Sequence, residues 1–304
     1  MKRILSIMII ATLALPVFAS NKNDSTRMVK DYSQILPQAG DWSLGFTLNP
    51  FVNFVGNMFN NTTNQLIDNQ RIGGGVIQYG NDPAYPLISI MGRYMFTDHF
   101  GIRANIGLLM CYRDSSKYVF DDYSVAMEDL VPSMVKDRAT SNTFGGSFNV
   151  AAEYRLGKKA VQGVFSGGLM YSLSKSTCDF TYGNAITDIN QNPTSAFHHT
   201  IIGEDRLGMN SYRVLRESTA CTHTIGLVCS AGVEWFVAPK VALGAEVNLA
   251  LLYQLTPEIQ QQIEGYVPFV DEVKTTTIII GESYQGIVFG TQNIGANLFM
   301  NFYF

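Results

Sequence analysis

The sequence predicts an all-β fold: eight antiparallel strands running up and down around a closed barrel. Three observations predict it. The terminal segment 292–304 alternates, with Ile294, Ala296, Leu298, Met300, Phe302 and Phe304 apolar and Asn293, Gly295, Asn297 and Asn301 between them. A period of two gives a strand one apolar and one polar face. The same alternation recurs along the chain in units whose connections are by turns short and long. No apolar run past the N-terminus reaches the roughly 20 residues that a spanning helix needs, and the mean hydropathy is only +0.07.

Residues 1–19 read as a signal peptide, with Lys2-Arg3 as the basic region, Ile4 to Leu15 as the apolar core and Val17-Phe18-Ala19 as the cleavage site. No cysteine stands at the cut, which argues against a lipid anchor. Without Lys2 and Arg3 the chain has 19 basic residues against 25 acidic ones, a net charge near −6. That balance, with no basic stripe, speaks against nucleic acid as a partner. Residues 20–40 are polar and patternless and are expected to form a mobile periplasmic lead-in, leaving 41–304 for the barrel.

The first strand holds Trp42, Leu44, Phe46 and Leu48 on one side, and a long loop rich in Asn and Gly follows to Pro86. Ile88, Ile90, Tyr94 and Phe96 run down to the turn Thr97-Asp98-His99-Phe100, and Ile102 through Tyr112 return. The excursion 113–142 contains Ser124 to Arg138, whose apolar spacing predicts a short amphipathic helix broken near Pro132. The unit then repeats: Phe144 to Tyr154, the turn Leu156-Gly157-Lys158-Lys159, and Val161 to Leu173. After a third loop of about 175–222, Ile225 to Trp235 lead to Val237-Ala238-Pro239-Lys240, and Val241 to Tyr253 climb again. A fourth loop reaches about Gly290, and within it Thr256-Pro257-Glu258 predicts a helix start, with Thr256 as N-cap and Pro257 at the first helical position.

One opening strand, three tight hairpins and one closing strand make eight, with both chain ends on the short-turn side. Ten remain open if 275–284 adds wall. Short periplasmic turns, four long extracellular loops and an apolar outer face predict a transmembrane barrel of the outer membrane. A soluble sandwich has no reason to alternate short and long connections. Trp42, Tyr94, Tyr154 and Trp235 near the short turns, with Tyr112, Tyr171 and Tyr253 at the other end, read as interfacial aromatic belts.

The terminal strand closing on Phe302 and Phe304 resembles the assembly signal of bacterial outer-membrane β-barrel proteins. The hairpins Ile88 to Leu108, Phe148 to Ser174 and Gly232 to Glu246 resemble small outer-membrane barrels of Bacteroidetes type, similar in architecture to the OmpA membrane domain. The likeness covers strands and turns and leaves out the loops. It implies handling by the barrel-assembly machinery, and a life among outer-membrane lipid and lipopolysaccharide.

Placing the apolar parity outward sends Arg93, Arg103, Glu153, Arg155, Glu234 and Glu246 inward. On the lipid face each charge would cost about 2–4 kcal/mol near the midplane. All six lie close to the short turns, so they are expected to pair across the lumen and plug its periplasmic half, and Asn105, Asn149, Asn248 and Asn297 add hydrogen-bonding groups. The same cluster could instead gate a pore.

No catalytic grouping persuades. His223 with Ser218 and Glu217 is the one local candidate for a hydrolase or acyltransferase, and neighbours in a strand point to opposite faces. His198-His199 and Gly73-Gly74-Gly75 read as loop residues, the acidic loops as solvated faces, and no cofactor or metal is implied. Cys178 and Cys221 flank the third loop as a possible disulfide, although their parity is opposite. The expectation is a non-enzymatic, surface-exposed structural or binding protein with a plugged lumen, showing its loops to an extracellular ligand or protein. A narrow channel for small solutes is the alternative, and a lipid-active enzyme ranks third.

Overall fold

The computed structural model describes residues 35–48, 76–77, 85–86, 88–197, 201–206, 208–218 and 221–304, all within the unit Ser33–Phe304. The signal-peptide reading, most of the first long loop with its three glycines, and His198-His199 lie outside these residues.

In chain order the strands are β1 (Trp42–Thr47), β2 (Val76–Ile77), β3 (Tyr85–Pro86), β4 (Ile88–Met95), β5 (Phe100–Phe120), β6 (Met134–Leu156) and β7 (Val161–Thr181). There follow β8 (Ile201–Arg206), β9 (Met209–Ser218), β10 (Thr222–Ala238), β11 (Val241–Thr256), β12 (Ile259–Val267), β13 (Glu272–Gly281) and β14 (Tyr284–Tyr303), and a single helical turn, α1 (Asp122–Ala126), separates β5 from β6.

Eight of these strands form a closed antiparallel ring. Each pairs with the next in the order β1, β4, β5, β6, β7, β10, β11, β14, and β14 returns to β1 with Ser43 opposite Tyr303 and Gly45 opposite Asn301. Closure leaves these strands no free edge where they pair, so their backbone groups are satisfied within the sheet. Alternation decides which side chains go where. Trp42, Leu44 and Phe46 point out, as do Ile102, Ile106 and Leu108, and the expected belt aromatics are exposed, Trp42 at 52% and Trp235 at 55%. Met91, Met95, Phe236 and Phe299 point in and are buried.

The long-loop side carries more sheet than the sequence predicts. β9 pairs with the top of β7 through Thr177–Asp179, β12 pairs with β9, β13 with β12, and β8 with β9, so the full sheet has 12 strands. These four strands form an annex around Met209, Tyr212, Val214, Ile263 and Val267. Of the segment 275–284, residues 275–281 fall in β13 of this annex and Tyr284 opens β14, so the ring stays at eight.

Two predicted helices give way to strand. Residues after Thr256 form β12, because Gln261, Ile263 and Gly265 alternate on a buried face, and that period of two outweighs the capping signal of Thr256-Pro257. The helix expected over 124–138 shrinks to α1, and β6 already starts at Met134. Of α1 only Ser124 is buried, so its apolar side chains lack a surface to pack on and the strand pairing of Val135 with Val119 prevails.

The expected lead-in is anchored from Ile35 onward. Ile35 and Leu36 pack on Phe236, Ala242 and Tyr303 at the short-turn mouth. Gly40 N–H donates to Met95 O at 2.8 Å, Ala39 N–H to Asp98 Oδ1 at 3.0 Å, and Asp41 pairs with Lys240.

Candidate functional site

The interior of the ring holds the charges. Arg93 comes from β4, Arg103 from β5, Glu153 and Arg155 from β6, Glu234 from β10 and Glu246 from β11, and all six are buried. Arg93 and Arg103 are directly opposite each other on neighbouring strands, an arrangement that would repel were each not aimed at a carboxylate across the lumen. Arg93 reaches Glu153 at 3.3 Å and also Glu234. Arg103 Nη1 donates to Glu246 Oε2 at 2.6 Å and Nη2 to Ser230 Oγ at 2.7 Å. Arg155 bridges Glu153 at 2.9 Å and Glu234 at 2.8 Å, and Nη1 donates to Gln162 Oε1 at 3.2 Å. Three guanidinium groups against three carboxylates leave the cluster neutral, the condition under which buried charge is tolerable.

Around these six stand residues the alternation should have disclosed. Tyr303 lies two positions past Asn301 and therefore on the same inward face; its hydroxyl donates to Glu234 Oε2 at 3.1 Å, and its ring stacks 5.1 Å from the Arg155 guanidinium carbon. Phe299, on that face too, lies 5.0 Å under Arg93. Asn301 Nδ2 donates to Glu234 at 2.9 Å and Asn297 Nδ2 to Glu246 at 3.3 Å.

Toward the long loops the lumen changes character. Asn105, Asn149 and Asn297 are buried with side-chain oxygens that have no partner, and beyond them Met170, Val228, Ala250 and Leu252 pack as an apolar layer with Val288. At the opposite end Ile35 and Leu36 cover Tyr303 and Phe236.

Phe302 and Phe304 sit on the outer face where β14 meets β1. Phe304 stacks on Trp42 at 4.5 Å and Phe302 on Phe46 at 6.2 Å. Cys178 and Cys221 are both free thiols. Thr222 is opposite Ser174, which puts Cys221 about three residues, roughly 10 Å at 3.3 Å per residue, from Cys178 along the strands. A disulfide needs its Cα atoms within about 7 Å. Burial pushes the Cys178 thiol above its ordinary value, helped by Glu217 and Asp179.

The catalytic candidate is not assembled. His223 Nδ1 is 2.8 Å from the Tyr171 hydroxyl, while Glu217 accepts from Gln261 Nε2 at 3.1 Å and Ser218 lies opposite Thr177 and Gln260. The acidic second loop is largely engaged. Asp114 receives Arg138 in a two-point pair at 2.8 and 2.6 Å, which holds its carboxyl below the usual range, and Asp121 caps α1. Among the described residues no His, Cys, Asp or Glu cluster is arranged to hold a metal ion.

No family model matches this chain, and no curated protein does. Similar solved structures include the outer membrane protein OprG from Pseudomonas aeruginosa, 11% identical over 88% of this chain and 98% of that one, with a TM-score of 0.33. The attachment invasion locus protein Ail of Yersinia pestis is 11% identical over 88% and 99%, with a TM-score of 0.30. A major outer membrane protein from Thermus thermophilus is 10% identical over 88% and 100%, with a TM-score of 0.34. Likenesses at this level assign no activity to the chain.

Proposed function

We propose that this chain is an outer-membrane β-barrel that acts as a surface-displayed structural or binding protein with a sealed lumen. One observation carries the reading: a closed ring of strands exposes large apolar residues all along its outer face and buries paired arginines and glutamates inside. A water-soluble monomer rarely exposes contiguous apolar area beyond a few hundred Å², whereas here Leu44, Ile90, Ile102, Ile106, Leu108, Phe148 and Phe165 are all exposed. Hydrocarbon is the solvent that suits such a wall. The Bacteroidetes-type, OmpA-like affiliation, the signal peptide and the reading of Phe302 and Phe304 as an assembly signal for the barrel-assembly machinery belong to the same proposal. So do lipopolysaccharide and an extracellular ligand as partners, display standing in place of catalysis.

The narrow channel keeps one supporting observation, the unpartnered amide oxygens of Asn105, Asn149 and Asn297, which invite water into mid-lumen. Single-channel recording separates the two. The sealed reading expects a silent bilayer, and stepwise conductance from the unmodified chain overturns it.

A further inference from the structure

The outward side chains of β10 run Trp235, Val233, Ala231, Cys229, Leu227, Ile225 and then His223. The ten residue steps from Trp235 to Ile225 cover about 33 Å of strand, or about 25 Å of height at a tilt near 40°, the height of the apolar band of a membrane barrel. His223 thus stands where the hydrocarbon ends. At that margin polar groups stand among apolar ones: Tyr171 bonds His223 at 2.8 Å, Tyr253 on β11 donates to Gln285 of β14 at 2.9 Å, and Lys175 on β7 lies two positions past Leu173, which with Leu255 is directly opposite His223.

Below this margin the same strands are hollowed. Gly167, Cys229 and Leu249 lie side by side, as do Phe165, Ala231 and Val247. The small central residues leave an open groove of about 490 Å³ between Phe165, Val247 and Leu249. A Cβ added at Gly167 would meet nothing within 4 Å.

We infer that the outer wall of β7, β10 and β11 binds one glycerophospholipid, with an acyl chain in the groove over Cys229 and Ala231, beside Gly167, and its phosphate at Tyr171, His223 and Lys175. Groove and polar margin lie on the same strands with the exposed Leu227 and Ile225 between them, in the order of an amphiphile's own parts. Lys175 supplies a positive charge for the phosphate, and Asp179, four residues further along β7, is offset by its pair with Arg216. One groove and one fixed charge match a single phosphodiester better than a multiply phosphorylated glycolipid.

The inference rests on the membrane reading, so the test has two arms. Flotation of the full chain with phosphatidylglycerol vesicles checks the membrane reading; a chain that stays at the bottom of the gradient overturns that reading and this one together. Native mass spectrometry of the folded chain in neutral detergent, with added phosphatidylglycerol, diacylglycerol or lipid A, checks the site. The expected result is a one-to-one phosphatidylglycerol adduct that falls at least tenfold in Ala231→Phe and in Gly167→Leu. His223→Ala combined with Lys175→Gln should abolish the preference for phosphatidylglycerol over diacylglycerol. In a chain that floats, an undiminished adduct in both groove variants overturns the site alone, as does binding of lipid A in place of phosphatidylglycerol, or a dimer that Ala231→Phe dissolves.

Discussion

Arg103 and Glu246 make the most self-contained contact in the lumen, at 2.6 Å and almost wholly shielded from water. Removing one partner strands the other, which typically costs about 3–5 kcal/mol, while replacing both with apolar side chains of similar size is often neutral. Glu246→Ala is therefore expected to destabilise the folded chain by about that amount, and Arg103→Met with Glu246→Leu by much less, as read from denaturant unfolding in lipid. Gly244 offers a second check. A Cβ there would come within 2.2 Å of the Phe299 ring, so Gly244→Ala must move that ring off Arg93, with an expected cost of about 1–3 kcal/mol. At this scale the inward set of charges was legible because ionised side chains cannot face lipid. Tyr303 and Phe299 were legible only through their parity with Asn297 and Asn301, since an aromatic residue suits lipid as well as a cation-lined interior and its chemistry alone does not choose the face.

Among the elements, the annex and the ring are held by different means, and they should fail separately. Ile263 is fully buried in the annex core; Ile263→Asp would bury an unpaired charge there. The expected outcome is proteolysis within 201–218 and 259–281 while the ring keeps its folded mobility on a gel, and loss of both together would show one cooperative unit. The tip of the β5–β6 hairpin responds to acid. Burial favours the neutral form of Asp122, but hydrogen bonds from Asn190 at 2.8 Å and Thr194 at 2.9 Å, with the charge of Arg213, outweigh it and hold the carboxyl below its usual value. A depressed folded value means that this contribution is present above the unfolded value of about 3.9 and is lost as pH falls through the folded one. Hydrogen exchange at the Thr194 amide, corrected for its intrinsic rate, should accelerate below about pH 4, and Asp122→Asn should flatten that dependence. Strands with one lipid face and one packed face announce themselves by period two, which is why the ring could be read in order. The annex strands are short, and although β8–β9 and β12–β13 are sequential hairpins, the pairing of β9 with β12 that joins them is distant in sequence and leaves no record in local pattern. The strap at 35–41 shows the same limit: Leu36 and Pro37 look like linker until the mouth they cover is in view.

For the whole molecule, the sealed reading counts three closures between the two ends of the lumen: Ile35 and Leu36 at the mouth, the arginine–glutamate cluster, and the apolar residues around Met170 and Leu252. Silence in a planar bilayer is expected to persist in Leu36→Asn, because the two inner closures remain; steady conductance in that variant would make the strap the decisive barrier. The length of β6 has a mechanical consequence. Its 23 residues run unbroken from Met134, beside the exposed Leu130 and Val131, down to Glu153 and Arg155 at the lumen's foot. A load applied at that outer tip is carried along the strand, so the ladders to β5 and β7 are strained in shear, many bonds sharing the force at once. Whatever grips the tip pulls on a stave rooted in the deepest ionic contacts of the protein, and the tether should hold until those contacts give way.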